Sequence, residues 1–385
     1  MGEVGTRATG AAKGAGIAGL LLAIALPACA PKPPPPPPKP PSVDLDAALA
    51  ALYGQSGAQG MVVTVVQGDQ VTVRGFGRVS AASPAPPDGA TLVRLESISK
   101  LFASDLLAHL VVAGRAKLSD ALPQAPAPMR RKPKDPPAPI TLVELATHTS
   151  GLPRTAPIDP TWDAAKSAAA RAAWLARTSQ RDPPGVGALY SNVGFDLLGD
   201  RLTALDGRPY AEALRARVTG PLAMADTTPS PSGAQCARLL EPDSSRPPKP
   251  CIDQTGFAAS GGLYSTGNDV GRWLKDQLAA RPDPARQVSQ ATYVQRGALK
   301  AAIGLDHAGP AQAIGLAWIE EAPTATHPRI LEKTGGGDGF LTYVVIDPAR
   351  RVGVFFAIDK VGRGVLTPLT QATNDLVGAL GRAAG

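Results

Sequence analysis

Three short patterns in this chain carry the residue types and spacing that acyl-transfer chemistry needs. Ser97-Ile98-Ser99-Lys100 sets a hydroxyl and an amine three residues apart, a separation that shares one face of a helix. A serine hydroxyl is a weak nucleophile until an adjacent base takes its proton, and a neutral lysine can do so. Ser99 is excluded from that role, because neighbouring helical residues point to different faces. Tyr190-Ser191-Asn192 stands just before a helical stretch; taken alone it also describes a tyrosine packed beside an Asn cap. Lys333-Thr334-Gly335-Gly336 ends a strand-like run and leads into Gly337-Asp338-Gly339, which alone reads as a glycine-rich hairpin turn. Each pattern occurs once: no other Lys follows a Ser by three, no other Tyr precedes an Asn by two, and Lys-Thr-Gly is not repeated.

Bringing these residues together requires a particular set of elements. Met61–Val66 and Val71–Val73 read as two strands around the turn Gln67-Gly68-Asp69-Gln70. Ser97–Ala113 reads as a helix, with Ile98, Leu101, Phe102, Leu106 and Leu110 at helical spacing and Gly114 as its stop. Thr141-Leu-Val-Glu144 is a capping box opening a short helix that stops near Gly151. Helices follow over 163–177, 192–205 and 210–218. Strands return over 313–320, 329–334, 341–347 and 352–358, and 369–380 closes the chain as a helix. Strands at both ends with helices between them predict an α/β fold: one sheet assembled from both termini, with a mainly helical insertion over roughly 96–255.

The chain has 385 residues and a formal charge of +7, and 44% of it is hydrophobic, enough for a sizeable core. That composition excludes a wholly disordered chain, a collagen and a small disulfide-stapled scaffold. The one dense basic run, Met129–Lys134, lacks interleaved aromatics, so nucleic-acid binding is not expected. His109, His148, His307 and His327 are dispersed and match no metal-ligand spacing; His148 reads as a structural hydrogen-bonder. Arg7 and Lys13 precede the apolar stretch Ile17–Leu26 and then Pro27-Ala28-Cys29, the layout of a secretory signal over 1–28. The ending Leu26-Pro-Ala-Cys29 resembles a bacterial lipobox, which implies an acylated Cys29. Residues 31–41 hold nine prolines and two lysines. At ~3.1 Å per residue such a polyproline II spacer reaches roughly 34 Å from a membrane face. Export leaves Cys236 and Cys251 as an even pair in an oxidising compartment, and a disulfide between them is expected.

With the three patterns in this order, on helix, loop-to-helix and strand, the chain resembles the class C β-lactamase and D,D-peptidase family of penicillin-recognising serine enzymes. The resemblance runs over roughly residues 53 to 360 and is closest to the D,D-carboxypeptidase/endopeptidase members. Ile140–Ser150, Tyr190–Leu198, Pro221–Thr228, Gly261–Thr266 and Lys333–Tyr343 carry it. It implies a β-lactamase/transpeptidase-like domain over 42–385, with no cofactor and no metal. Ser97 would be the acylated nucleophile, with Lys100 and Tyr190 as the base pair and Asn192 orienting the Lys100 amine and the substrate amide. Lys333 and Thr334 would bind the substrate carboxylate, while the Ser97 and Gly336 N–H groups, with Gly335 beside them, form the oxyanion hole. The partners implied are peptidoglycan stem peptides, β-lactam antibiotics and, through Cys29, a membrane, with the outer membrane of the periplasm favoured. The middle motif begins with Tyr where some relatives have Ser, and Asp338 adds a negative charge where a small neutral residue is expected. A β-lactamase, a family esterase and a catalytically silent cell-wall-binding lipoprotein are the competing readings.

Overall fold

Met61-Val-Val-Thr-Val-Val66 is apolar on both of its faces, the signature of a strand covered on two sides, and it forms the interior of the main sheet. The computed structural model describes residues 42–123, 139–178, 182–242, 251–337, 339–360 and 362–383, all within one unit that begins at Pro40. The signal segment, Cys29, the proline spacer and Asp338 lie outside the described residues.

Helix α1 (Leu45–Ser56), capped by the Asp44 carboxylate, precedes the hairpin β1 (Gly60–Gln67) and β2 (Gln70–Gly77). Strand β3 (Leu92–Arg94) leads through a 3-10 turn, Glu96–Ile98, into α2 (Ser99–Val112). The middle of the chain holds α3 (Leu142–Ala146), α4 (Ala164–Leu175), β4 (Ala188–Leu189), α5 (Asn192–Asp206), α6 (Tyr210–Leu214) and α7 (Gly233–Cys236). Then come β5 (Tyr264–Thr266), α8 (Gly267–Gln277), α9 (Pro284–Ser289), β6 (Val294–Gln295), β7 (Ala302–Ile303), β8 (Ala311–Ile314) and β9 (Ile319–Glu321). Long strands β10 (Ile330–Gly337), β11 (Phe340–Asp347) and β12 (Val352–Ile358) and helix α10 (Arg363–Ala383) end it.

The main sheet has eight strands in the order β2-β1-β12-β11-β10-β9-β8-β6, every pair antiparallel. Its amino-terminal hairpin joins the carboxy-terminal strands through the β1–β12 ladder, Met61 opposite Ile358, so the sheet is built from both ends of the chain. Side chains divide between its faces with period two. Met61, Val63, Val65, Val345, Val354 and Phe356 pack beneath α1 and α10, while Val62, Val66, Val344, Ile346 and Phe355 join the core around α2, α5 and α8.

The structure redraws several element boundaries. The helix expected from Ser97 begins at Ser99, and Ser97 sits in the preceding 3-10 turn. The strand expected over 313–320 is two strands, because Gly315 N–H donates to Trp318 O and Ala317 takes φ 63°, closing a hairpin. The helix opened by the Thr141 capping box stops at Ala146, where His148, at φ 60°, turns the chain instead of continuing to Gly151. The helix at Tyr210 gives way to a π-helical turn, Arg215–Thr219. Helices α1, α7, α8 and α9 are additional to the expected set. The expected pair Cys236 and Cys251 is joined as a disulfide.

Candidate active site

Ser97 is held at the meeting of three chain segments. Leu95 N–H donates to Leu263 O at 2.9 Å, and the Thr342 hydroxyl on β11 donates to Leu95 O at 2.9 Å. Between these anchors Glu96 adopts φ 51°, a left-handed conformation that L-residues rarely occupy and that typically costs about 1–3 kcal/mol. Ser99, fully buried, accepts from Leu263 N–H at 3.1 Å, a structural clamp in agreement with its exclusion as nucleophile.

Lys100, in the first turn of α2, is fully buried and all three of its ammonium donors are used. Its Nζ lies 3.2 Å from Ser97 Oγ and 2.8 Å from Asn192 Oδ1, and it also donates to Ser260 O. Burial pushes the Lys100 amine below its ordinary value; the Lys333 cation pushes the same way, while Tyr190 opposes both.

Tyr190 and Asn192 are aimed by the start of α5. Ser191 caps that helix by accepting from Gly194 N–H at 2.9 Å, and its hydroxyl donates to Pro153 O at 2.7 Å. Asn192 N–H donates to Arg154 O, and Tyr190 N–H to Ile303 O. The Tyr190 hydroxyl then reaches Ser97 Oγ at 2.6 Å. Burial raises the Tyr190 phenol, but the Lys100 and Lys333 cations outweigh it, together with hydrogen bonds from Lys100 and Ser97, and bring it down to about 7. His148 Nδ1 accepts from Ser191 N–H at 3.0 Å with its ring 4.4 Å from that of Tyr190. Burial, then Lys100, Lys333 and Arg154, holds the imidazole well below 6.5, so it stays neutral and serves the backbone.

Strand β10 forms the opposite wall. Lys333 is buried, donates to Thr334 O at 2.9 Å and stands 5.0 Å from the Tyr190 ring centroid. The strand passes so close to the Ser97 turn that a Cβ on Gly335 would lie 2.1 Å from Thr342 Oγ1 and 2.9 Å from Leu95 O. Only glycine fits there. A cleft of about 270 Å³ opens between the walls, lined by Ser97, Arg154, Tyr190, His307, Thr334 and Gly336 among others, with no carboxylate among its described lining residues. Every residue of the three sequence patterns named as a candidate therefore meets at one place. Arg154 and the Ser260 carbonyl were not foreseen; no motif flags a carbonyl, and Arg154 lies outside all three patterns.

A Ser–Lys–Tyr cluster opening on a cleft beside a Lys-Thr-Gly strand, on an antiparallel sheet flanked by helices, defines the penicillin-recognising class of serine enzymes. The chain belongs to the β-lactamase family, whose model matches residues 45–375. It is 36% identical over 335 residues to the Escherichia coli K12 D-alanyl-D-alanine-carboxypeptidase/endopeptidase AmpH, covering 84% of this chain and 85% of that protein. A β-lactamase of the same strain is 24% identical over 339 residues, 81% of this chain and 87% of its own length. Among solved structures, the Yersinia pestis β-lactamase/D-alanine carboxypeptidase complexed with citrate aligns with TM-score 0.78 and 36% identity, over 87% of this chain and 97% of that one. The class C β-lactamase of Rhodobacter sphaeroides shares the fold at TM-score 0.68 and 21% identity, over 86% and 97%.

Proposed function

We propose that the chain is a serine D,D-carboxypeptidase/endopeptidase acting on peptidoglycan stem peptides through an acyl-enzyme at Ser97, and that β-lactams acylate the same serine. The observation that carries this reading is the position of Ser97 Oγ, 2.6 Å from the Tyr190 hydroxyl and 3.2 Å from Lys100 Nζ, beside a buried Lys333. The 36% identity to a D,D-carboxypeptidase/endopeptidase over most of both chains supports it.

In this mechanism the Tyr190–Lys100 pair takes the Ser97 proton as Oγ attacks the carbonyl carbon of the D-Ala-D-Ala bond. The oxyanion is received by the N–H groups of Ser97 and Gly336; one such donor contributes about 3 kcal/mol or more. The pair then returns the proton to the leaving amine, the C–N bond breaks, and water hydrolyses the acyl-enzyme by the reverse path. Lys333 and Thr334 take the terminal carboxylate, which D-Ala-D-Ala peptides and penicillins share. That cation at the cleft wall favours carboxylate-bearing substrates over simple esters, and the intact Ser–Lys–Tyr cluster argues against a silent fold. β-Lactamase activity is the second reading, favoured by the β-lactamase relatives, and differs in how fast water reaches the acyl-enzyme.

The proposal includes export. Residues 1–28 are removed as a lipoprotein signal, Cys29 is acylated, residues 29–41 act as a spacer, and residues 42–385 stand in the periplasm from the outer membrane. The sequence of the first 41 residues supports this, and the Cys236–Cys251 disulfide suits an oxidising compartment. The test is D-alanine release from a pentapeptide ending D-Ala-D-Ala. The proposal predicts release by the native chain and none above background for Ser97→Ala; equal release by both would contradict it.

A further inference from the structure

Arg154 is built into the site, yet the reaction just described gives its charge no task. Its carbonyl accepts from Asn192 N–H at 2.8 Å, and the Pro153 carbonyl before it accepts from the Ser191 hydroxyl, so its backbone is tied to the turn that aims Tyr190 and Asn192. Its guanidinium carbon stands 4.8 Å from the Tyr190 ring centroid. Gly304, at φ 78°, makes room for this: a Cβ there would lie 3.1 Å from Tyr190 Cβ and 3.8 Å from an Arg154 terminal nitrogen. Arg154 is exposed, lines the cleft that holds Ser97, and has no acidic partner among the described residues. Stacking on the ring fixes the plane of the guanidinium, and its N–H fork matches a carboxylate.

We propose that Arg154 is a binding subsite for a second carboxylate, one carried by the acyl-donor part of the substrate. The assignment rests on the peptidase reading and follows from counting charges. Lys333 and Thr334 take the terminal carboxylate of the leaving residue. In the carboxypeptidase reaction the leaving D-alanine has only that one anionic group, so any further carboxylate of that substrate belongs to the acyl donor. The substrate class is therefore a D-Ala-D-Ala peptide whose donor segment bears a free side-chain carboxylate, in preference to its carboxamide or to a neutral peptide.

The experiment compares two peptides ending D-Ala-D-Ala that differ only in a free carboxylate or a carboxamide on the donor side chain. Native chain, Arg154→Ala and Arg154→Lys are assayed for kcat and KM, and each is checked for acylation by a penicillin with an uncharged side chain. The native chain is expected to prefer the carboxylate peptide by about tenfold in kcat/KM, the scale of one charge-assisted contact at an exposed site. Arg154→Ala should bring that ratio near one, through KM of the carboxylate peptide, and Arg154→Lys should keep part of it because a point charge replaces a fork. A native chain acylated by penicillin but indifferent to the carboxylate overturns the subsite alone. Equal losses on both peptides and on penicillin acylation also overturn it, since they assign Arg154 to holding Tyr190. A native chain that neither cleaves the peptides nor is acylated overturns the peptidase reading, and the subsite with it.

Discussion

At the scale of single residues the site works by crowding charge into a dry space. Lys100 and Lys333 both stand within about 5 Å of the Tyr190 ring centroid, and no carboxylate is among the described residues that line the cleft. Burial and mutual repulsion lower the Lys100 amine, while the two cations draw the Tyr190 phenol down to about 7 against the opposing effect of its own burial. A phenol poised there gives up its proton near neutral pH, so the acylating form accumulates as pH rises through 7. The rate of acylation by a β-lactam should accordingly fall about tenfold per unit below pH 7 and level off above it. Tyr190→Phe should erase that limb and slow acylation by roughly 100-fold or more; a limb that survives the substitution would remove the phenol from the assignment. Lys100→Ala should cost a similar factor, because the amine that shares the Ser97 proton and holds the Tyr190 phenol down is then gone.

At the scale of elements, β10 decides whether the site exists. A Cβ on Gly335 would overlap Thr342 Oγ1, so Gly335→Ala must push β10 from the Ser97 turn, and a shift of this kind costs roughly 100-fold in kcat/KM. Gly54→Ala on α1, with nothing within 4 Å of its Cβ, is the control expected to stay within about twofold of the native chain. The other face of β10 carries Glu332, 1% exposed, with one carboxyl oxygen unpartnered, and burial raises it to about 8. Between the ordinary value of 4.5 and 8 the folded chain holds a proton that the unfolded chain has lost, so stability falls as pH rises through that window. Glu332→Gln should flatten the decline, raising Tm at pH 8 relative to pH 5 by roughly 5 °C or more over the native difference; a parallel decline in both proteins would contradict it. The long apolar strands and the helix stop at Gly114 are readable because each follows from residues adjacent in sequence. The 3-10 turn at Glu96–Ile98 is not: it exists because Thr342, 247 residues away, holds the Leu95 carbonyl. Helix α1 is legible in Leu45, Leu49 and Leu52 at helical spacing between the Asp44 cap and Gly57, although it was not among the expected elements, whereas the Gly315–Trp318 turn rests on a left-handed Ala317 that has no sequence signature.

At the scale of the whole molecule, the nucleophile turn, the start of α5 and β10 come from positions near 97, 190 and 333 and meet only after the sheet has closed between both ends of the chain. The three motifs were legible as a set because their order and elements agreed, whereas Arg154 required the fold to place it over Tyr190. The Cys236–Cys251 link, spanning 15 residues, is expected to contribute about 3 kcal/mol. Reduction, or the double change to Ser, should lower Tm by roughly 3–5 °C in calorimetry, and an unchanged Tm would mean the loop is held by packing instead. The central claim, that Ser97 is the acylated nucleophile, is met most directly by intact-mass spectrometry of the chain mixed with excess penicillin and followed over time. The account predicts a single adduct of one penicillin per chain that persists for many minutes and is missing in Ser97→Ala. An adduct of the same mass that survives Ser97→Ala, or no adduct and no consumption of penicillin by the native chain, would contradict it.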